Sequence, residues 1–118
     1  MKLNFIKRIC KWNETRGNKR GSIDKQLEQD MLDEELEEFK DAEDFVDELD
    51  ALIDLTFVTI GSMHKLGLSP QQIDKAINIV CDANDKKLAK KNADGKIQKP
   101  EDFEPPEKKL QEILDENK

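Results

Sequence analysis

The sequence predicts an all-α fold, a four-helix core followed by an irregular Pro/Gly-containing tail, and three observations predict it. Apolar residues recur at helical spacing through most of the first 92 positions, without strand-like alternation. Helix start signals punctuate that stretch at Asn4, Ser22, Asp41 and Ser69. Beyond position 93 the pattern stops, and Gly95, Pro100, Pro105 and Pro106 forbid a long regular element. The 118 residues read as a single domain, with a helical core over about 4–92 and a tail over 93–118.

The first helix is expected from about Asn4 to Glu14, on the stripe Phe5, Ile6, Ile9 and Cys10. A basic loop, Arg16 to Gly21, follows, and Ser22 is the expected cap of a second helix reaching Lys40. Asp41 is the expected cap of the third, Glu43 to about Lys65. Its stretch Leu49–Ile60 is apolar over most of its circumference, which predicts the central buried helix. Gly67 ends it. Ser69-Pro70-Gln71-Gln72 then combines an N-cap, a proline at the first helical position and a capping box. The fourth helix carries Ile73, Ile77, Val80, Cys81 and Leu88 on one face and is expected to fray near Lys91. Leu110, Ile113 and Leu114 suit a short helix over 108–116.

Composition narrows the rest. The chain is 36% hydrophobic and 40% charged, lean for a monomer, so completion of the core by oligomerisation is expected. The net charge of −7 is unevenly spread: residues 22–64 carry fifteen acidic side chains against Lys25 and Lys40. That acidic middle argues against a nucleic-acid polymer as partner. Residues 86–99 carry six lysines against Asp94. No membrane span or signal peptide is visible, and Cys10 and Cys81 read as reduced core cysteines, so a cytoplasmic protein is expected.

The chemistry lies in carboxylates placed on apolar arcs. At about 100° per residue, with Glu35 at zero, Met31, Phe39 and Leu32 fall at roughly −40°, +40° and +60°, and Glu38 near −60°. The opposite arc holds Gln26, Gln29, Asp30, Asp33, Glu37 and Lys40. On the third helix Asp50 and Asp54 lie about 40° apart, flanked by Val46, Ile53, Phe57 and Val58. Inward acids without partners cost several kcal/mol each, so a cation is expected among them. Magnesium, or manganese in its place, fits carboxylate oxygens completed by water and phosphate. Asp47 continues the Asp50/Asp54 stripe but also suits the positive end of the helix dipole, and both readings stand. Glu28 also falls near the apolar arc and could be a rim residue, but an ordinary charged face is the favoured reading there.

Asn84, Lys87 and Lys91 extend the apolar stripe of the fourth helix into its last turns; beside an acidic metal site they read as phosphate ligands. His64 is read as a cap or surface residue. Trp12, the only tryptophan, is read as core, with stacking on a base as the alternative; Asn13 and the basic loop are further candidates for base contact. Asn92, Asp94, Gly95, Ile97 and Glu101 match later positions of a calcium loop, but Lys90 stands where its first carboxylate is required, and Pro100 blocks the exiting helix.

Glu34-Glu35-Leu36-Glu37-Glu38, followed by the Asp-bearing helix DELDALIDLTFVTIG (47–61), resembles the MazG-like all-α nucleoside triphosphate pyrophosphohydrolases. Their pattern is Glu-Glu-x-x-Glu, a spacer, then Glu-x-x-Asp. Asp54 matches the final Asp; Ala51 stands where the second Glu belongs, and Asp50 is the stand-in. The tail, with Asn84, Lys87, Gly95-Lys96 and Lys99-Pro100, is similar to the phosphoribosyl-ATP-pyrophosphohydrolase-like branch of phages and bacteria. The resemblance implies hydrolysis of a nucleoside triphosphate, a dNTP or modified nucleotide, to monophosphate and pyrophosphate, in a bacterial or phage-infected cell. It further implies magnesium held by Glu35, Glu38, Asp50 and Asp54, and water activation by Glu34 or Asp47. Lys87, Lys91, Lys96 and Lys99 would hold phosphates, Asn84 would bond substrate, and the assembly would be a homodimer or homotetramer. The alternative is a catalytically silent interaction or regulatory module of the same fold.

Overall fold

A computed structural model describes residues 4–118, and the described residues form five α-helices with no β-strand. They are α1 (Phe5–Thr15), α2 (Lys25–Asp41), α3 (Phe45–Leu66), α4 (Pro70–Asp85) and α5 (Glu107–Asp115). The all-α expectation holds. No described helix is long and apolar enough to cross a membrane. Two compact units divide the chain, the first ending at Ile73 and the second spanning Asp74–Lys118.

In the first unit α3 packs against both α2 and α1. Two helix starts differ from expectation. The Ser22 hydroxyl donates to the Lys19 carbonyl inside the basic loop, so Asp24 caps α2 instead, its carboxylate accepting from Leu27 N at 3.2 Å. Asp41 is still helical, so the next acid with a free extended backbone, Asp44, caps α3 and accepts from Asp47 N at 2.8 Å. The link between the two helices is therefore only three residues long, which makes them an antiparallel hairpin.

Close approach of α1 to α3 depends on Gly61. A Cβ there would lie 3.0 Å from Asn13 Nδ2. Asn13 is buried: its amide donates to the Ile9 carbonyl and its Oδ1 accepts from Asn18. It is thus a structural residue and unavailable for base contact. His64 is buried too, contrary to the surface reading. Its Nε2 meets Glu14 Oε2 at 3.0 Å and Asn18 O at 2.9 Å, both acceptors, so Nε2 carries the proton. Together these bonds tie the start of the basic loop to the α1/α3 seam.

The expectation that α3 is the central buried helix holds only for its C-terminal half, where Ile60, Gly61, His64 and Lys65 are buried. Toward its start Ala51 is covered, but Phe45, Val46, Leu49, Leu52 and Ile53 are exposed, Phe45 by 87%. Trp12 is 42% exposed rather than core; its ring meets Phe57 edge-on at 5.1 Å and carries Arg16 on its face at 4.3 Å.

The capping box at the start of α4 forms as expected. Gln72 N donates to Ser69 Oγ at 3.2 Å, and Ser69 N donates to Gln72 Oε1 at 3.0 Å. Ser69→Ala is expected to lower stability by about 1 kcal/mol, read as a small drop in the thermal midpoint.

In the second unit α4 ends at Asp85, earlier than the expected Lys91. Residues 86–92 have helix-compatible side chains, but their backbone is taken by the tail. Leu88 N donates to Gln98 O, Gln98 N to Lys90 O and Asn92 N to Lys96 O, around a turn in which Gly95 takes φ +85°. Leu88 therefore leaves the helix face assigned to it. Cys81 is exposed rather than core, while Cys10 is buried as expected. Ile113 of α5 is fully buried, and Lys75 of α4 pairs with Glu116 at the end of α5 at 3.2 Å.

Candidate metal centre

The α2/α3 hairpin brings three acids to one point. Carboxylate oxygens of Glu35, Glu38 and Asp54 lie within 4.8 Å of one another. Glu35 and Asp54 are half-buried, as their wheel positions predict, whereas Glu38 and Asp50 are exposed. Asp50 is not one of the three; with Glu34, Glu37, Glu38, Asp41 and Asp47 it lines an adjoining acidic cavity of about 560 Å³. Ala51, at the position of the missing glutamate, is 2% exposed and lines the same cavity.

Among the described residues no lysine or arginine pairs with Glu35, Glu38, Asp50 or Asp54. Instead, the acids oppose one another. Burial first, then hydrogen bonding to and repulsion by Glu38, then the charges of Asp54 and Glu34, push the Glu35 carboxyl up to about 7. Its Oε2 is buried without a hydrogen-bond partner. An orphaned acceptor inside a knot of like charges fits a divalent cation bound by hard oxygen ligands.

This arrangement has a pH consequence. Glu35 holds its proton to about 7 in the folded chain, against 4.5 ordinarily. Between those values the folded state binds more protons than the unfolded, so this group's contribution to stability falls as pH rises through the window. Divalent cations compete with the same proton. Their binding is expected to strengthen as pH rises toward about 7 and then level off, measured by calorimetric titration at several pH values.

The second unit carries the cationic candidates. Asn84, Lys87, Lys96 and Lys99 line a cavity of about 560 Å³ with Leu88 and Ile97. Lys91 does not line it; Lys91 forms an isolated antiparallel bridge with Ile97. The ammonium groups of Lys87 and Lys99 sit over one ring, Phe103, at 5.9 and 5.4 Å from its centroid. Neither lysine has a carboxylate partner among the described residues.

Sequence reasoning missed two participants. Phe103 was hidden in a proline-rich tail with no periodicity. Glu28, read as part of an ordinary charged face, is 5% exposed and forms an ion pair with Lys65, itself 7% exposed, through both carboxylate oxygens at 3.1 Å. Ser62 Oγ adds a third bond to Glu28 at 2.8 Å. The signal available was the near-alignment of Glu28 with Glu35, seven residues apart.

A helical hairpin that converges unpaired carboxylates on one point defines a class of all-α, divalent-metal-compatible proteins. The chain belongs to the phosphoribosyl-ATP pyrophosphohydrolase family, whose model matches residues 8–80, in the MazG-like all-α NTP pyrophosphohydrolase superfamily. The match supports a pyrophosphohydrolase acting on a nucleotide phosphoanhydride. It spans most of α1 through α4 and contains the acidic cluster; Asn84 and all the lysine candidates lie beyond it. A search of curated proteins finds no match to the chain.

Proposed function

We propose that the protein hydrolyses a nucleoside triphosphate, a dNTP or modified nucleotide, to the monophosphate and pyrophosphate, with magnesium or manganese as cofactor. The observation that carries this reading is the convergence of Glu35, Glu38 and Asp54 around an orphaned oxygen within the matched segment. Those three, with Asp50 at the cavity edge, would hold the ion, which supplies charge neutralisation for the phosphates. In the reaction a water oxygen bonds to phosphorus, the α–β bridge breaks and pyrophosphate leaves.

The water's proton needs an acceptor, and Glu34 or Asp47, both lining the acidic cavity, is suited to orient the water and take it. Lys87, Lys96 and Lys99 are suited to hold phosphate oxygens and Asn84 to bond substrate, on the support of their shared cavity and unpaired charges. Lys91 stays a weaker candidate, outside that lining. The test is pyrophosphate release from a panel of canonical and modified nucleotides with magnesium. Release from at least one is expected, and release from none would overturn the reading.

The buried Ala51 in place of a glutamate favours a second reading, a catalytically silent module of the same fold. Divalent-ion binding with no pyrophosphate release from the panel would select it. The exposed apolar residues of α3, Phe45, Val46, Leu49, Leu52 and Ile53, support a homodimer or homotetramer in which a second copy covers them. Sedimentation at micromolar concentration tests this, and a monomer there would overturn it.

A further inference from the structure

We propose that Glu28 and Lys65 are positioning residues that set the register of α2 against α3 and so hold the acidic cluster together; this rests on the metal-centre reading above. The ion pair lies deep in the interface, closed by two 3.1 Å contacts and by Ser62. At 1.5 Å rise per residue, Glu38 lies about 15 Å beyond Glu28 along α2, and Asp54 about 16 Å before Lys65 along antiparallel α3. The two contacts are therefore rungs of a single register, one attractive and one repulsive. A slip of one turn, about 5.4 Å, exceeds the 4.8 Å that spans the cluster and would scatter its oxygens.

Apolar packing resists such a slip only in part, through residues such as the small, buried Ala51 beside the α2 acids. Met31, Leu32, Leu55 and Val58 are only half-buried, and Leu27 and Leu36 are exposed, so the apolar side chains here specify the register weakly. A slipped Glu28 and Lys65 would instead be two buried charges without partners. Buried polar pairs are best attested as devices of this kind, fixing register rather than adding stability. At the other rung Asp54 of α3 faces the α2 acids Glu35 and Glu38, a like-charge contact that favours slip or separation and that the buried pair opposes.

The test compares Mn²⁺ affinity, by electron paramagnetic resonance, in the full-length protein and two double variants. Glu28→Leu/Lys65→Met replaces the charges with apolar volume; the reversed pair, Glu28→Lys/Lys65→Glu, restores attraction. The apolar variant is expected to melt cooperatively yet bind Mn²⁺ more weakly by about 10-fold or more, since a one-turn slip carries Asp54 away from the α2 ligands. The reversed pair is expected to recover most of that loss, which a purely stabilising role would not require. A folded apolar variant with wild-type affinity overturns the inference. If that variant fails to fold, Glu28→Gln, with the same shape and no charge, replaces it under the same reading. Absence of Mn²⁺ binding by the wild-type protein overturns the metal-centre reading and this inference with it, and is distinguishable because no variant is needed to see it.

Discussion

Asp54→Asn is expected to abolish stabilisation of the protein by magnesium and to lower pyrophosphate release by two orders of magnitude or more. A cation held among carboxylates supplies several kcal/mol of charge stabilisation, and about 1.4 kcal/mol corresponds to tenfold in rate. Asp54 is the α3 member of the converging trio, so its loss leaves the two α2 carboxylates with only Asp50, at the cavity edge, facing them from α3. The metal-free protein should respond in the opposite direction. Asp54 is one of the charges that push Glu35 up, and an amide removes that repulsion. A higher thermal midpoint without metal, together with no midpoint shift on adding it, is the expected pair of results. A metal-induced shift that survives the substitution would remove Asp54 from the centre.

The largest loss of stability is expected from Lys65→Met. Both partners of its ion pair are nearly inaccessible, with side-chain exposures of 9% and 6%. Removing one partner leaves a buried carboxylate with only the Ser62 hydroxyl for compensation. Such breakage typically costs about 3–5 kcal/mol, a large share of a small domain's total. Chemical denaturation of the single variant measures it directly. A much smaller loss, under about 1 kcal/mol, would mean that water reaches Glu28.

Much of the fold was legible in the sequence because its signals are local. The all-α class, the α4 capping box and the short C-terminal helix follow from spacing and turn chemistry alone. The two misplaced caps have a shared cause: several acids and hydroxyls crowd each helix start, and only the extended backbone at Asp24 and Asp44 decides which of them accepts the amide. The early end of α4 depends on hydrogen bonds from residues about ten positions downstream, which periodicity does not register. In the candidate site, the wheel placed Glu35 and Asp54 on inward arcs, and the structure half-buries both. It could not rank Asp50 against Glu38, since that depends on the stagger between helices. Glu28 was misread because a glutamate beside an apolar arc is ambiguous until its cation is known, and Lys65 is 37 residues away.

The stacking of Lys87 and Lys99 on Phe103 gathers two like charges at one aromatic ring. Neither has an acid partner among the described residues, so the negative face of the ring is what offsets their mutual repulsion.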